Sequence, residues 1–391
     1  SRGRGDGYKR QVVTSTSLGR RQIQNVRRLG VKVGSNVLTT GEHKPNSSVI
    51  KQLVQDVTEV RARGCEVAIV TSGAVVVGMG HLGLRRRPEA ISELQALAAI
   101  GQSLLMNFYE RLFRENEVPI GQVLLTAEDI LGGRHRYVNL ENTFSSLFDL
   151  GAVPIINEND SVSVDELKRR LGENDMLAAY VTNLIKAELL VIMSDIEGLY
   201  TSFDADGPKG DLIREVKDGE LELDTMVGEN NSVVGRGGMQ TKLQAAKLLM
   251  TCGEMTIIAH GRKHRLTQLI DGISYGTLFL PSGRRLGSRE RWIAFASPER
   301  GVLTVGTAAQ CSLLDDFGSL YPSEIISCEG DFSVGDVVRI FGTSGNEIGR
   351  GVINYDVSEL SRILVGGVSE IEADRDLSGI EVIHKDDLVL L

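Results

Sequence analysis

Four short segments combine lysine, small residues and acid–amide clusters in ways that could handle phosphate or a zwitterionic ligand. The first is Val31-Lys32-Val33-Gly34-Ser35-Asn36. A lysine in a strand points away from the valines beside it, and the glycine and serine that follow expose backbone N–H groups. The segment therefore joins a positive charge to a nest of donors, which suits a phosphate. The second, Thr71-Ser72-Gly73-Ala74, directly follows an apolar run ending at Val70. Small side chains there let a ligand approach the backbone, and the next helix offers it an N-terminus. The third is Ile156-Asn157-Glu158-Asn159-Asp160 together with Gly172-Glu173-Asn174-Asp175. Carboxylates and amides converging from two loops could hold an ammonium and a carboxylate, or organise hydrated Mg²⁺. The fourth, Gly235-Arg236-Gly237-Gly238-Met239-Gln240-Thr241-Lys242, places glycines before a helix start and a lysine on its first turn, a phosphate cradle. It fits neither GxxxxGK[ST] nor GxGxxG. Each segment also has a plain structural reading: a solvated strand-end lysine, a tight βα turn, helix caps at Asn174 or Asp175, and a flexible loop before a helix. Capping accounts for one or two of the polar residues in the third segment, not for all of them.

The elements that must position these segments follow from periodicity. From Val31 to about Leu280, apolar runs alternate with helical spacing, the pattern of an α/β fold with a mainly parallel sheet. Buried strands are expected at 67–70, 118–125, 152–156, 189–193 and 255–259. Helices are expected at 91–115, 137–150, 175–186 and 239–252, and from an N-cap at Ser47 or Ser48 to a stop at Gly64. Residues 284–297 are polar and basic and read as a linker. Beyond Pro298, short β-type runs separated by Gly and Asp predict a small barrel or sandwich.

Composition sets the outer bounds. A chain of 391 residues, 41% hydrophobic and 24% charged, suits two or three globular domains. No run approaches the ~18 apolar residues of a membrane helix, so no membrane partner is expected. Cys65, Cys252, Cys311 and Cys328 form no CxxC pair, which argues against a zinc or redox motif and suits a reducing compartment. Residues 1–28 carry eight Lys/Arg and one acid, while the whole chain is −9. This basic stretch reads as a disordered extension or as an organelle transit peptide. The acidic remainder excludes global attraction of polyanions, so any ATP or RNA that binds must do so at local sites.

The segments VKVGSNVL (31–38), VTSGAVVVG (70–78), GQVLLT (121–126), VPIINENDSVS (153–163), GENDMLAA (172–179), SDIEGLYT (194–201) and GRGGMQTKLQAA (235–246) occur in the order found in glutamate 5-kinases. The chain resembles that branch of the amino-acid kinases over roughly residues 29–280. Residues 301–355 are similar to a PUA domain. The resemblance implies a three-layer amino-acid-kinase sandwich over 29–283, with a mainly parallel central sheet, and a β-barrel-like PUA domain over 298–391. It implies phosphorylation of the side-chain carboxylate of L-glutamate by ATP and Mg²⁺, the first step toward proline; a degenerate kinase acting in regulation or RNA binding is the alternative. Lys32 and Lys242 are the catalytic residues so implied. Ser72, Gly73, Asp160, Asn174 and Asp175 would bind glutamate. Lys32, Ser194, Asp195, Arg236, Gly237, Gly238, Met239, Gln240, Thr241 and Lys242 would bind ATP, whose phosphates and water would hold the metal.

A homo-oligomer, dimer or tetramer, proline as feedback inhibitor, and a cytoplasmic site (organellar if the basic stretch is a transit peptide) also follow from the resemblance. The sequence departs from the family pattern at Glu173, Arg236, around Glu93–Gln95, in the length of 164–171, and at Gly30, which should weaken the first strand. Residues 298–391 hold six Lys/Arg and seventeen Asp/Glu, a net of −11. That charge argues against RNA as a partner.

Overall fold

The computed structural model describes residues 17–41, 43–162, 174–204, 207–217, 238–281, 283–296, 299–316, 318–366 and 381–391. Ten strands precede residue 281: β1 (Arg28–Val33), β2 (Glu66–Val70), β3 (Ile120–Leu125), β4 (Val153–Glu158), β5 (Leu189–Ser194), β6 (Tyr200–Asp204), β7 (Gly207–Leu212), β8 (Glu215–Lys217), β9 (Met255–His260) and β10 (Thr277–Leu280). Eight of them form one sheet in the order β3-β4-β2-β1-β5-β9-β10-β8, parallel everywhere except between β9 and β10. β6 and β7 form a separate hairpin, which the periodicity did not suggest. From β1 the chain moves to β2 on one side and later returns to β5 on the other. The order therefore reverses between β1 and β5, and a crevice opens there beyond the strands' C-terminal ends.

Strand parity sorts the side chains into two cores. Leu29, Val31, Val33, Val67, Ile69, Val191 and Ile257 face the helices Ser47–Ala62 and Ile91–Arg114. Ala68, Val70, Leu190, Ile192 and Ile258 face the helices Arg134–Asp149, Asn174–Leu184 and Gly238–Thr251. With Val31 and Val33 committed to the first face, Gly30 and Lys32 must point to the second. Gly30 there lies beneath Thr182: a Cβ would stand 2.5 Å from Thr182 Oγ1. The glycine expected to weaken the strand thus lets the helix Asn174–Leu184 approach it.

Several expectations change. Asn46, rather than Ser47 or Ser48, caps the helix Ser47–Ala62, its side chain accepting from Val49 N–H. The part of the basic stretch within the described residues is ordered and docked. Leu18–Ile23 is a helix, Ile23 is fully buried, and Arg20 donates to the carbonyls of Ile273, Arg214 and Gly276 at 3.2–3.4 Å. The segment read as a linker contains the helix Ser288–Arg291 and a π-type turn, Trp292–Ala296, and buries Arg291, Trp292, Ile293 and Ala294. It packs against the helix Arg134–Asp149 and the C-terminal strands.

The C-terminal region has its own five-stranded sheet: β11 (Glu299–Val305), β12 (Ile325–Gly330), β13 (Val337–Phe341), β14 (Glu347–Val352) and β15 (Leu388–Leu390), in the order β12-β11-β13-β14-β15. Two helices not expected from the β-type texture, Thr307–Asp316 and Val357–Gly366, complete its core. Among the described residues, no helix is long and apolar enough to cross a membrane.

Candidate active site

All four segments that carry the candidate chemistry meet at the crevice. Lys32, one residue from the end of β1, extends its ammonium to Asp175 Oδ1 at 2.6 Å. Lys242, on the first turn of the helix Gly238–Thr251, meets Asp175 Oδ2 at 2.9 Å and donates to the Gly238 carbonyl at 2.7 Å. Thr241 Oγ1 donates to the same carboxylate oxygen at 3.0 Å. All three charged groups are buried: Lys32 is 5% exposed, Lys242 7% and Asp175 0%. Burial by itself pushes the Asp175 carboxyl upward. The two ammonium groups outweigh it and hold the carboxyl below its ordinary range. One anion thus spaces two buried cations. Asp175, expected among the glutamate ligands, has both carboxylate oxygens on lysines.

A second cluster joins Ser72, Gly73 and Asn174. Thr71–Gly73 leaves β2, and Gly73 takes a left-handed conformation (φ 95°) to open the helix Ala74–His81. Asn174 Nδ2 reaches the Thr71 carbonyl and Ser72 Oγ, both at 2.9 Å, and Asn157 Oδ1 at 3.0 Å. Ser194 and Asp195 end β5 on the other bank of the crevice. Asp195 accepts from Asn36 Nδ2 at 2.8 Å and from Ser194 Oγ at 3.1 Å, which ties the two banks together. Burial raises the Asp195 carboxyl and these hydrogen bonds more than offset it, so it titrates below its ordinary range. Arg262 pins the loop after β1 by donating to the carbonyls of Asn36 and Thr39.

Asp160 stands in the turn after β4, on the same sheet edge. Gly238 and Met239 open their helix, Met239 buried and Gln240 exposed beside it. Arg236, Gly237 and Glu173 lie outside the described residues. Sequence reasoning placed Asn36 in the first segment without giving it a role of its own; it stands on the short helix Ser35–Leu38. That reasoning missed Gln102, which donates nothing to the site yet accepts from Asn157 Nδ2 at 2.8 Å. The signal for Gln102 was present: it interrupts the buried stripe Ala98, Leu105, Tyr109 on one helix.

A mainly parallel α/β sheet with two buried lysines at its switch point suits phosphoryl transfer. Residues 28–259 match the amino acid kinase family, and residues 301–374 match the PUA domain. The glutamate 5-kinase of Thermoanaerobacter sp. (strain X514) is 42% identical over 366 residues, 93% of this chain and 98% of its own. That of Geobacter sulfurreducens is 42% identical over 371 residues, 94% and 99% of the two chains. That of Nitrosococcus oceani is 39% identical over 376 residues, 95% and 99%. The chain belongs to the amino acid kinase family and, within it, to the glutamate 5-kinases.

Proposed function

We propose that the protein transfers the γ-phosphoryl group of ATP to the side-chain carboxylate of L-glutamate, giving L-glutamyl 5-phosphate, the first step toward proline. The observation that carries the reading is the buried Lys32–Asp175–Lys242 clamp at the crevice. A glutamate carboxylate has a reference pKa of ~4.3 and is already ionised at neutral pH, so no general base is needed. One of its oxygens attacks the γ-phosphorus, the bond to the β–γ bridging oxygen breaks, and ADP leaves. The obstacle is bringing two anions together, which calls for fixed positive charge more than for proton transfer.

Lys32 and Lys242 supply that charge, and Asp175 holds their ammonium groups in place. Ser72, Gly73, Asn174 and Asp160 hold the amino acid. Ser194, Asp195 and the segment 236–242 hold the nucleotide. Mg²⁺ neutralises phosphate charge when bound with ATP. Asp175 is engaged by two lysines, so the metal would be held through the nucleotide's phosphates and water. Homo-oligomer formation and inhibition by proline extend the same reading, on the motif resemblance. The net of −11 over residues 298–391 favours a regulatory or assembly role for the C-terminal domain over RNA binding.

The test is direct. Purified protein with MgATP, L-glutamate and hydroxylamine should yield γ-glutamyl hydroxamate, the trapped acyl phosphate. Folded protein that yields none under these conditions would sink the proposal.

A further inference from the structure

The hydrogen-bond polarity at Asn174 is set by the Thr71 carbonyl and, behind it, by Asn157. Glu158 N–H donates to Asn157 Oδ1 at 2.9 Å, and Asn174 Nδ2 reaches the same oxygen at 3.0 Å. With its oxygen held by two donors, Asn157 presents Nδ2 on its other side, where it donates to Gln102 Oε1. Asn174 Nδ2 also faces the Thr71 carbonyl, which can only accept. Turning Asn157 or Asn174 around would set oxygen against oxygen, and turning Gln102 would set N–H against N–H. Asn174 therefore directs Oδ1, an acceptor, away from the strand ends, and no donor among the described residues reaches that atom. Ser72 Oγ lies 2.9 Å from Asn174 Nδ2, whose two hydrogens are shared among three acceptors, and the Ser72 hydroxyl keeps its own hydrogen to donate.

Gln102 ends this relay. It is buried, and its Nε2 has no acceptor among the described residues. A buried donor without an acceptor weakens a fold, and for packing alone an apolar side chain would serve better. The amide stands in the orientation that satisfies Asn157 and leaves its own donor unmet.

We propose that Gln102 is a positioning residue for substrate recognition: through Asn157 it fixes Asn174 so that Oδ1 accepts from the α-ammonium of the amino acid while the Ser72 hydroxyl donates to a carboxylate. The site is thereby polarised for an α-amino dicarboxylate over a plain dicarboxylate. This rests on the glutamate reading above.

The experiment measures kcat and KM for L-glutamate, KM for MgATP, and Ki for glutarate, which lacks the ammonium, in the wild type, Gln102→Met and Gln102→Glu. Gln102→Met should raise KM for L-glutamate about tenfold, the scale of one hydrogen bond to a charged group. Its kcat, its KM for MgATP and its Ki for glutarate should stay within about twofold. Gln102→Glu keeps an acceptor for Asn157 Nδ2 and should hold KM for L-glutamate near the wild-type value. The proposal is overturned if Gln102→Met moves glutarate as much as glutamate, or moves neither. A tenfold rise in Gln102→Glu also overturns it, which keeps it testable should the Met variant not fold. A wild type that forms no hydroxamate refutes the glutamate reading itself; an active wild type with either pattern above refutes only the role of Gln102.

Discussion

Asp175→Asn removes a negative charge that meets two buried lysines while keeping side-chain shape, and its consequences can be worked out. Lys32 and Lys242 each lie within 3 Å of an Asp175 oxygen, at 2.6 and 2.9 Å. Unit charges ~3 Å apart in an effective dielectric of ~20 attract by about 5 kcal/mol, and two such contacts offset much of the cost of burying three charges. With the carboxylate gone, two buried ammonium groups face each other. Removing one partner of a buried pair costs about 3–5 kcal/mol.

Two readouts follow. Urea unfolding at pH 7 should show a loss of about 3–5 kcal/mol. The hydroxamate assay should show kcat reduced about a hundredfold or more, the scale of losing one charged stabiliser of the transition state. The pH dependence is the sharper test. In the wild type Asp175 titrates below its ordinary range. Its stabilisation is present above the unfolded pKa of ~3.9 and is lost as pH falls through the folded value. In the variant that acid limb should disappear. A variant with wild-type kcat and stability would refute the claim that the carboxylate spaces the lysines, as would an acid limb that persists unchanged.

Two further outcomes rest on packing and burial away from the crevice. Gly30→Val should destabilise by about 1–3 kcal/mol in urea unfolding, because its Cβ would press on Thr182 Oγ1, and Thr182→Ala should recover part of the loss. Glu254 is fully buried against Arg291 and Arg285; burial raises its carboxyl to about 7, and the two guanidinium groups only partly oppose that rise. A raised folded value means that its stabilisation is complete below the unfolded pKa of ~4.3 and lost as pH rises through about 7. Stability followed by urea midpoint should fall across that window in the wild type, by at most about 1.4 kcal/mol per pH unit, and the difference from Glu254→Gln should isolate the effect.

What could be read from the sequence depended on how far away each residue's partners lie. The face of Lys32 was legible because parity needs only Val31 and Val33, and the strand ends were legible because apolar runs stop where polar segments begin. The arginine-rich stretches were misread for the opposite reason. Arg20 looks like one of many solvated cations until Arg214, Ile273 and Gly276 supply carbonyls 194–256 residues later. Arg291 looks like linker charge until Glu254 and Asn183 enclose it.

Asp175 shows the same limit inside the site. Its sequence neighbours Glu173 and Asn174 suggest a cluster that meets the substrate, but neighbours on a helix start point in different directions. Asn174 turns to the Thr71 carbonyl at the end of β2, and Asp175 turns to the lysines. Two adjacent residues in one motif therefore take different partners: Asn174 the Thr71 carbonyl, Asp175 the two lysines. Spacing could place both residues at the crevice. Only the strand order, which sets β1 between β2 and β5, could separate them.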